Sequence, residues 1–329
     1  MRLSVLDQVP ITKGSEPETS LKNAEKIALA VEEWGYHRMW LAEHHSADII
    51  GSSAPEIIAA YLLSKTSKLR VGTGGIMMMH YSPLKLAEIT KTLCALAPNR
   101  FDFGVGRAPG GDNHVIYAMS EGRKPNVIEF SEKLETTLKL INDEMPTSDL
   151  YRNITATPAN ISLPEAWLLG SSGASAVSAG KLGMGYSYAQ FFKGEINSKS
   201  LDVYKQNFTP SEFMEKPKVI VSYMATVADT ADEAEYEARP HDISGLMSRK
   251  GQLPQVLTPE EAFNYPLTEM DRMDILENRK AHLVGTGKEV SKRLLDEQSK
   301  YGFDEVMICC IAHSLEKRLN TYRHLAEQF

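Results

Sequence analysis

The amino-acid sequence predicts a (β/α)8 barrel, and three observations support that fold class. First, amphipathic stretches end at Gly35, Gly183 and Gly302, and a short apolar run follows each glycine. Glycine suits the left-handed position just past a helix, and short helix-to-strand loops are typical of alternating helices and parallel strands. Second, the apolar runs that alternate with helical stretches over the 329 residues can be counted as eight, the number that closes such a barrel. Third, no G-x-G-x-x-G turn follows the first run, which disfavours the alternative, a doubly wound open sheet.

The predicted strands are short runs in which apolar, β-branched and aromatic residues predominate. In chain order they are Leu3–Leu6, Arg38–Ala42, Leu69–Gly72, Phe101–Val105, Ala166–Leu169, Gly185–Ala189, Lys218–Ala225 and Glu305–Ile311. Amphipathic stretches between them predict helices, for example Pro83–Ala97, Asn126–Asn142 and Lys288–Tyr301. Pro83 suits a first helical position, because the N–H that proline lacks would have no partner there.

Two stretches interrupt the alternation of strands and helices. Met145–Pro164 and Ser244–Tyr265 are rich in proline and polar residues, and we interpret them as excursions inserted into the barrel. Barrels of this kind commonly exceed the length of about 150 residues that is usual for a domain. We therefore expect one barrel domain over residues 1–329.

Composition excludes several classes of protein. The chain is 42% hydrophobic and 24% charged, with a formal net charge of −7 and interleaved charges, so it lacks the basic stripe of a nucleic-acid binder. No apolar run approaches the ~20 residues that cross a bilayer. The cysteines Cys94, Cys309 and Cys310 form no C-x-x-C pair, which argues against a disulfide framework or a cysteine zinc site. We expect a cytoplasmic protein that binds neither membranes nor nucleic acids.

The segment "WLAEHH" places two histidines at the end of the second predicted strand. Side chains alternate along a strand, so His44 shares a direction with Trp40 and Ala42, whereas Glu43 and His45 share the other. The two histidines therefore cannot both face one metal, and we predict no metal site. His44 is a candidate acid/base residue, since imidazole titrates near neutral pH. Alternatively, it is a strand-end histidine that only hydrogen-bonds a loop.

The segment "VGTGGIMMM" opens the third strand into its loop with Gly72, Gly74 and Gly75. Glycines there permit an unusual backbone conformation or the close approach of a flat ligand. A flexible turn is the alternative. The methionines 77–79 would either line an apolar ligand site or fill the core.

Two further strand ends carry groups suited to an anion. Arg107 follows the fourth strand, where its guanidinium would bind a phosphate or carboxylate or remain solvated. Ser171, Ser172 and Ser175 lie at a helix start, which favours phosphate binding, although Ser172 could equally be only an N-cap. A phosphate-binding site next to a glycine-rich strand end would suit flavin mononucleotide (FMN), a phosphosugar or pyridoxal phosphate. The last usually requires a strand-end lysine, and none is evident.

Several segments resemble the bacterial luciferase-like flavin-dependent monooxygenase family. They occur in the family's order and span nearly the whole chain. The resemblance is greatest to the uncharacterised luciferase-like oxidoreductase branch. The segments are "WLAEHH", "SSAPEIIAAYLLSKTSKLRVGTGGIMM", "SPLKLAEITKTLCALAPNRFDFGVGRAPGGD", "WLLGSSGASAVSAGKLG" and "HLVGTGKEVSKRLLDEQSKYGFDEVMI".

The resemblance implies an oxidoreductase that uses reduced FMN and O2, through a flavin peroxide, to oxidise a small organic molecule. His44 would supply or accept the proton, and Glu43 would contact the flavin edge or a neighbouring subunit. A non-proline cis peptide bond between Gly74 and Gly75 would lie under the flavin ring. The residues implied to hold the phosphate are Arg107, Ser171, Ser172 and Ser175.

The resemblance also implies partners and leaves alternatives open. It implies a homodimer formed through helices flanking the second and third strands, and NAD(P)H acting indirectly through a separate flavin reductase. The alternatives on the same fold are a deazaflavin (F420)-dependent dehydrogenase or reductase and a non-catalytic flavin-binding protein. The sequence departs from the branch at Met79 and His80, where Pro and Asn are common, and from the luciferase subunits at Ser171, where they carry Glu. The substrate therefore stays unassigned.

Overall fold

The strands form one parallel barrel. The computed structural model describes residues 1–122 and 129–329. In chain order the strands are β1 (Arg2–Asp7), β2 (Arg38–Leu41), β3 (Arg70–Thr73), β4 (Ile76–Met77), β5 (Phe101–Gly106), β6 (Glu165–Gly170), β7 (Gly185–Ala189), β8 (Val219–Ala228), β9 (His282–Thr286) and β10 (Glu305–Cys309). β1, β2, β3, β5, β6, β7, β8 and β10 pair in that order, and β10 also pairs with β1. This closure confirms the predicted (β/α)8 barrel and excludes the open sheet.

All eight predicted strands are present, and two short strands were not predicted. β4 pairs with β5, and β9 pairs with residues 224–228 of β8. β4 is too short to show any alternation, and β9 runs directly into the helix that follows it. No local pattern separates either of them from its neighbours.

The helices lie between successive strands. They are α1 (Pro17–Glu33), α2 (Pro55–Lys65), α3 (Pro83–Leu96), α4 (Asn113–Met119), α5 (Glu129–Ile141), α6 (Gly173–Lys181), α7 (Ser198–Asn207), α8 (Ala231–Arg249), α9 (Pro259–Phe263), α10 (Glu269–Asn278), α11 (Gly287–Tyr301) and α12 (Leu315–Ala326). The helix predicted from Asn126 begins among residues outside the described ranges. The three glycines predicted to end helices have positive φ angles of 80°, 60° and 64° at Gly35, Gly183 and Gly302.

The two predicted excursions differ in outcome. Met145–Pro164 is irregular apart from a single 3-10 turn at Asp149–Tyr151. The second prediction is wrong at its start, because α8 continues past Pro240 and through Ser244 to Arg249. One face of α8 is buried, and that packing sustains a helix through a proline that local preference alone would not favour.

The barrel interior forms its own apolar cluster, separate from the layer under the helices. Trp40 and Ala42 of the β2 segment belong to the inner cluster, with Trp167, whereas Met39 and Leu41 belong to the outer one. This alternation fixes which strand-end side chains face the mouth. In the described part of the chain, no helix has both the length and the apolar character required to cross a bilayer.

The floor of the barrel, at the amino ends of the strands, is ionic. The fully buried Arg38 guanidinium lies 2.7 Å from Asp102, 3.0 Å from Glu165 and 2.8 Å from Glu305. Its Cζ atom also lies 4.9 Å from the centre of the Trp167 ring. In barrels of this kind, groups at this end serve stability, whereas chemistry takes place at the opposite end.

Candidate active site

Four neighbouring strand ends carry the residues predicted for the site. β2, β3, β5 and β6 are consecutive in the barrel. Leu41 pairs with Thr73, and Val105 pairs with Leu168, so the loops after these strands leave the barrel close together. The predicted residues that follow these strands are Glu43, His44, Gly74, Gly75, Arg107, Ser171, Ser172 and Ser175.

Glu43 is buried and binds three groups of the protein itself. Its Oε1 atom lies 2.7 Å from His45 Nε2 and accepts a hydrogen bond of 2.9 Å from the Tyr81 hydroxyl. Its Oε2 atom accepts a hydrogen bond of 3.0 Å from the amide of Met77. Burial, followed by the nearby carboxylate, raises the pKa of Tyr81, so its hydroxyl stays a donor at neutral pH. Glu43 thus ties the β2 loop to the segment after β3.

His45 belongs to the same framework. Besides its contact with Glu43, its amide donates a 2.8 Å hydrogen bond to the carbonyl of Gly110, in the loop after β5. These contacts give His45 a structural role in joining the loops after β2 and β5. Tyr81 was not predicted, because it lies 38 residues from Glu43 and no local pattern marks the pair.

Replacing Glu43 with glutamine is expected to lower the free energy of unfolding by about 1–3 kcal/mol. A glutamine offers only one acceptor oxygen to three donors, so buried donors lose their partner. Denaturant unfolding would measure the change. Glu33→Gln, at an exposed position of α1, is the control and should stay within about 0.5 kcal/mol of wild type. Equal stability of the two variants would contradict the proposed bracing role of Glu43.

His44 is held by its main chain, and its ring is left available. Its amide donates a 3.0 Å hydrogen bond to the carbonyl of Ser52, whose hydroxyl in turn donates to the carbonyl of Ala42. Within the described residues, the His44 ring makes no hydrogen bond. Burial, and secondarily the neighbouring His45, lowers the pKa of His44. The ring is therefore neutral at physiological pH, with one nitrogen able to donate and one able to accept.

The segment at Gly74 and Gly75 is closely packed, so the alternative of a flexible turn is wrong. The peptide bond between these residues is cis, as predicted. A Cβ atom on Gly75 would lie 2.9 Å from the carbonyl carbon of Val105, and one on Gly74 would lie 2.8 Å from Trp40. Position 75 therefore requires glycine because the backbone of strand β5 packs closely against it. In the same segment, Met78 is buried in the outer core cluster.

The serine-rich start of α6 is organised by a tyrosine. The Ser172 hydroxyl caps the amide of Ser175 at 3.4 Å, and the Ser175 hydroxyl donates to the Ser172 carbonyl at 2.8 Å. The Tyr186 hydroxyl donates to the same carbonyl at 3.1 Å. Burial raises the pKa of Tyr186 to about 12, so it remains a donor. The only sequence signal for Tyr186 was the alternation of tyrosines in "YSY".

The same place presents unpaired positive groups. Arg107 is exposed, and its guanidinium has no hydrogen bond or ion pair with any described residue. The amides of Gly173 and Ala174, at the first turn of α6, also have no partner in the described part of the chain. Arg107 follows β5 and α6 follows β6, its neighbour in the barrel, and free amides at a helix start and a guanidinium are both suited to a phosphate. The residues present therefore fit the phosphate of a cofactor such as FMN.

Comparison with known sequences gives one family. The sequence profile described as luciferase-like monooxygenase matches residues 1–305. The chain is 37% identical to the uncharacterized protein YceB of Bacillus subtilis over 329 residues, covering 100% of this chain and 99% of that one. It is 34% identical to the N-acetyl-S-alkylcysteine monooxygenase of the same organism, covering 97% and 96% of the two chains.

Comparison with solved structures agrees. The crystal structure of apo-MsnO8 has a TM-score of 0.90 at 31% identity and covers 99% of this chain and 97% of that one. Two more distant structures share the fold. The oxygenating constituent of 3,6-diketocamphane monooxygenase from Pseudomonas putida, in complex with FMN, has a TM-score of 0.73 at 16% identity and covers 99% and 97%. An F420-dependent secondary alcohol dehydrogenase has a TM-score of 0.69 at 14% identity and covers 98% and 97%.

Proposed function

The chain belongs to the luciferase-like monooxygenase family, and from that premise we propose that it oxidises an organic substrate with reduced FMN and O2. Reduced FMN, when bound, supplies the two electrons with which one oxygen atom enters the substrate and the other is reduced to water. The relatives named as monooxygenases support the incorporation of oxygen. The specific cofactor and the substrate are our proposal.

The observation that carries the proposal is that Arg107, without an ion-pair partner among the described residues, follows β5, which pairs with β6, the strand that leads into α6. A terminal phosphate is a dianion at neutral pH, and it would meet a fixed positive charge, two free amides and the hydroxyls of Ser171 and Ser172. The hydroxyl of Ser175 is already engaged with the Ser172 carbonyl, so we assign it to holding the loop in shape. This role differs from the direct phosphate contact that the sequence predicted for Ser175.

The proposed role of His44 is to hold or move a proton at one of its ring nitrogens. Its lowered pKa keeps the ring neutral, which allows either direction of transfer during turnover. Exclusion of water from the reacting groups would suppress side reactions with water. Glu43 stabilises the loop that carries His44 through its contacts with His45 and Tyr81. Its carboxylate oxygens already have hydrogen-bond partners within the protein.

Arg107→Ala is expected to weaken FMN binding at least tenfold (about 1.4 kcal/mol). The purified protein would be titrated with FMN, reduced FMN and F420, and binding would be read by fluorescence. Arg152→Ala, at an exposed position paired with Asp149, is the control and should leave affinity unchanged. Preference for F420 would instead indicate the dehydrogenase alternative. Binding of none of the three would overturn the flavin proposal.

The substrate to assay first is an N-acetyl-S-alkylcysteine. A relative at 34% identity is named for such compounds, which supports this choice. Because no nicotinamide-binding signature is evident in the sequence, the assay should include a separate flavin reductase with NADH. Mass spectrometry after reaction under ¹⁸O2 would then show whether one oxygen atom enters the product.

The homodimer is also a proposal. Ile57 and Tyr61 on α2 are 66% and 44% exposed, and α2 connects the second and third strands, where the interface was predicted. Exposed apolar side chains at that place support an interface there.

A further inference from the structure

Two clefts lie next to each other at the mouth of the barrel. The first has a volume of about 190 Å³ and lies between Gln8, Ile49 and α8. The second has a volume of about 210 Å³ and is lined by Phe191, Met224, Arg249, Ile275, Asn278 and His282. His241 and Gly245, one turn apart on α8, line both clefts, so the clefts adjoin along this face of the helix.

Both clefts lie at the level where chemistry occurs in such barrels. Met224 belongs to the interior cluster and pairs with Cys309, the last residue of β10. Phe191 packs against the same interior cluster. In the first cleft, Gln8 follows β1, and Ile49 belongs to the same loop as His44. The loop that carries His44 therefore borders the first cleft.

The second cleft contains a buried polar atom without a partner. His282 is 5% exposed, and its Nε2 atom lies 2.9 Å from the Thr226 hydroxyl, but its Nδ1 atom has no hydrogen-bond partner among the residues that the structure describes. The His241 ring stands edge-on to it, with the ring centres 4.9 Å apart. Burial, with smaller contributions from His241 and Arg279, places the pKa of His282 well below its ordinary value. A neutral buried imidazole with an open position requires a partner from a ligand or water.

The charge in the second cleft is positive. The Arg249 guanidinium makes no ion pair with any described residue, and its Nη1 atom lies over Gly245. Asp242, the acidic residue of the wall, is held by Arg279 through two hydrogen bonds of 2.7 Å. The cleft thus combines apolar walls, an unpartnered imidazole nitrogen and a free cation.

We propose that the two clefts form one substrate site and that it takes an amphipathic organic acid. The apolar body lies against Phe191 and Met224, a hydrogen-bonding group meets His282, and the carboxylate binds Arg249. Each cleft alone is below the range of about 300–1,000 Å³ common for small-molecule pockets, so such an acid reaches across His241. This inference rests on the proposed function, since the acid is the molecule to be oxidised.

The proposal is tested with a pair of compounds that differ only in charge. N-acetylphenylalanine and N-acetylphenylalaninamide would be titrated by calorimetry, both with and without saturating FMN. The acid is expected to bind about tenfold more tightly than the amide. Arg249→Met should abolish that difference, whereas Arg272→Met, at an exposed position of α10 outside the cleft lining, should preserve it. Phe191→Ala should weaken both compounds by the same factor.

Three outcomes would overturn the proposal: equal affinity for acid and amide, an unchanged preference in Arg249→Met, or no binding of either compound at about 10 mM, beyond the range of specific affinity. The FMN titration runs separately. Loss of FMN binding with retained acid preference would refute the flavin function alone, and the converse result would refute only this substrate site.

Discussion

His44→Ala is expected to lower the rate of substrate oxidation by about 10²–10⁴-fold, the usual contribution of a positioned acid or base. The affinity for FMN should change little, since the phosphate is proposed to bind at Arg107 and the start of α6, on other strands. The rate would be measured under single-turnover conditions with reduced flavin and O2. His114→Ala is the control, because that side chain is 98% exposed on α4.

The pH dependence separates a catalytic role of His44 from a structural one. Because its pKa is lowered, the neutral form persists below the ordinary value of 6.5, and the acid limb of kcat/KM should lie below that pH. In His44→Ala this limb should disappear. A variant that keeps both the wild-type rate and the limb would show that His44 only packs. FMN binding without turnover in the wild type would point to the non-catalytic flavin-binding alternative.

The barrel could be predicted because its signals are local. Gly35 and Gly302 have positive φ angles where a helix ends, and the strand after each is a short apolar run. β9 was missed because it leads directly into α11. The predicted excursion from Ser244 began too early, since α8 runs to Arg249 and is held by its buried face and not by local preference.

The site could be predicted only in part, because its supporting contacts are distant in sequence. Alternation along the β2 segment correctly placed Trp40 and Ala42 on one side, since both belong to the interior cluster, whereas Leu41 belongs to the outer one. The partners of Glu43 could not be predicted, since Tyr81 is 38 residues away. Tyr186, which braces the start of α6, lies 14 residues from Ser172. Only the closed barrel brings such pairs together.

The ionic floor brings together residues that are even farther apart in the sequence. Asp102, Glu165 and Glu305 lie 64, 127 and 267 residues from Arg38, and each stands at or near the start of a different strand. Asp102 also pairs with Arg70, and the partly buried Glu165 pairs with Lys218, but the buried Glu305 has Arg38 as its one ion-pair partner among the described residues. Removal of Arg38 therefore leaves a buried carboxylate uncompensated. Trp40 also donates a 2.9 Å hydrogen bond to Asp102, which connects the floor to the cluster under the site.

Arg38→Met is therefore expected to lower the free energy of unfolding by about 3–5 kcal/mol, the usual cost of removing one partner of a buried ion pair while the other stays charged. Denaturant unfolding at pH 7 would measure the change. Arg152→Met removes an exposed ion pair with Asp149 and should cost less than about 1 kcal/mol. An Arg38 variant as stable as this control would show that the floor contributes no net stability.

Acidification should narrow the difference between wild type and Arg38→Met. Burial alone would raise the pKa of Glu165, but Arg38, Arg70 and Lys218 hold it at about 2. Since this pKa lies below the ordinary carboxyl value of 4.5, the stability it contributes is fully present above pH 4.5 and is lost as the pH falls towards 2. Without Arg38 the buried carboxyls take up protons at a higher pH, which relieves their repulsion. Unfolding measured at pH 7 and again near pH 4 should therefore show a smaller penalty at the lower pH, and an equal or larger penalty there would contradict the electrostatic origin of the effect.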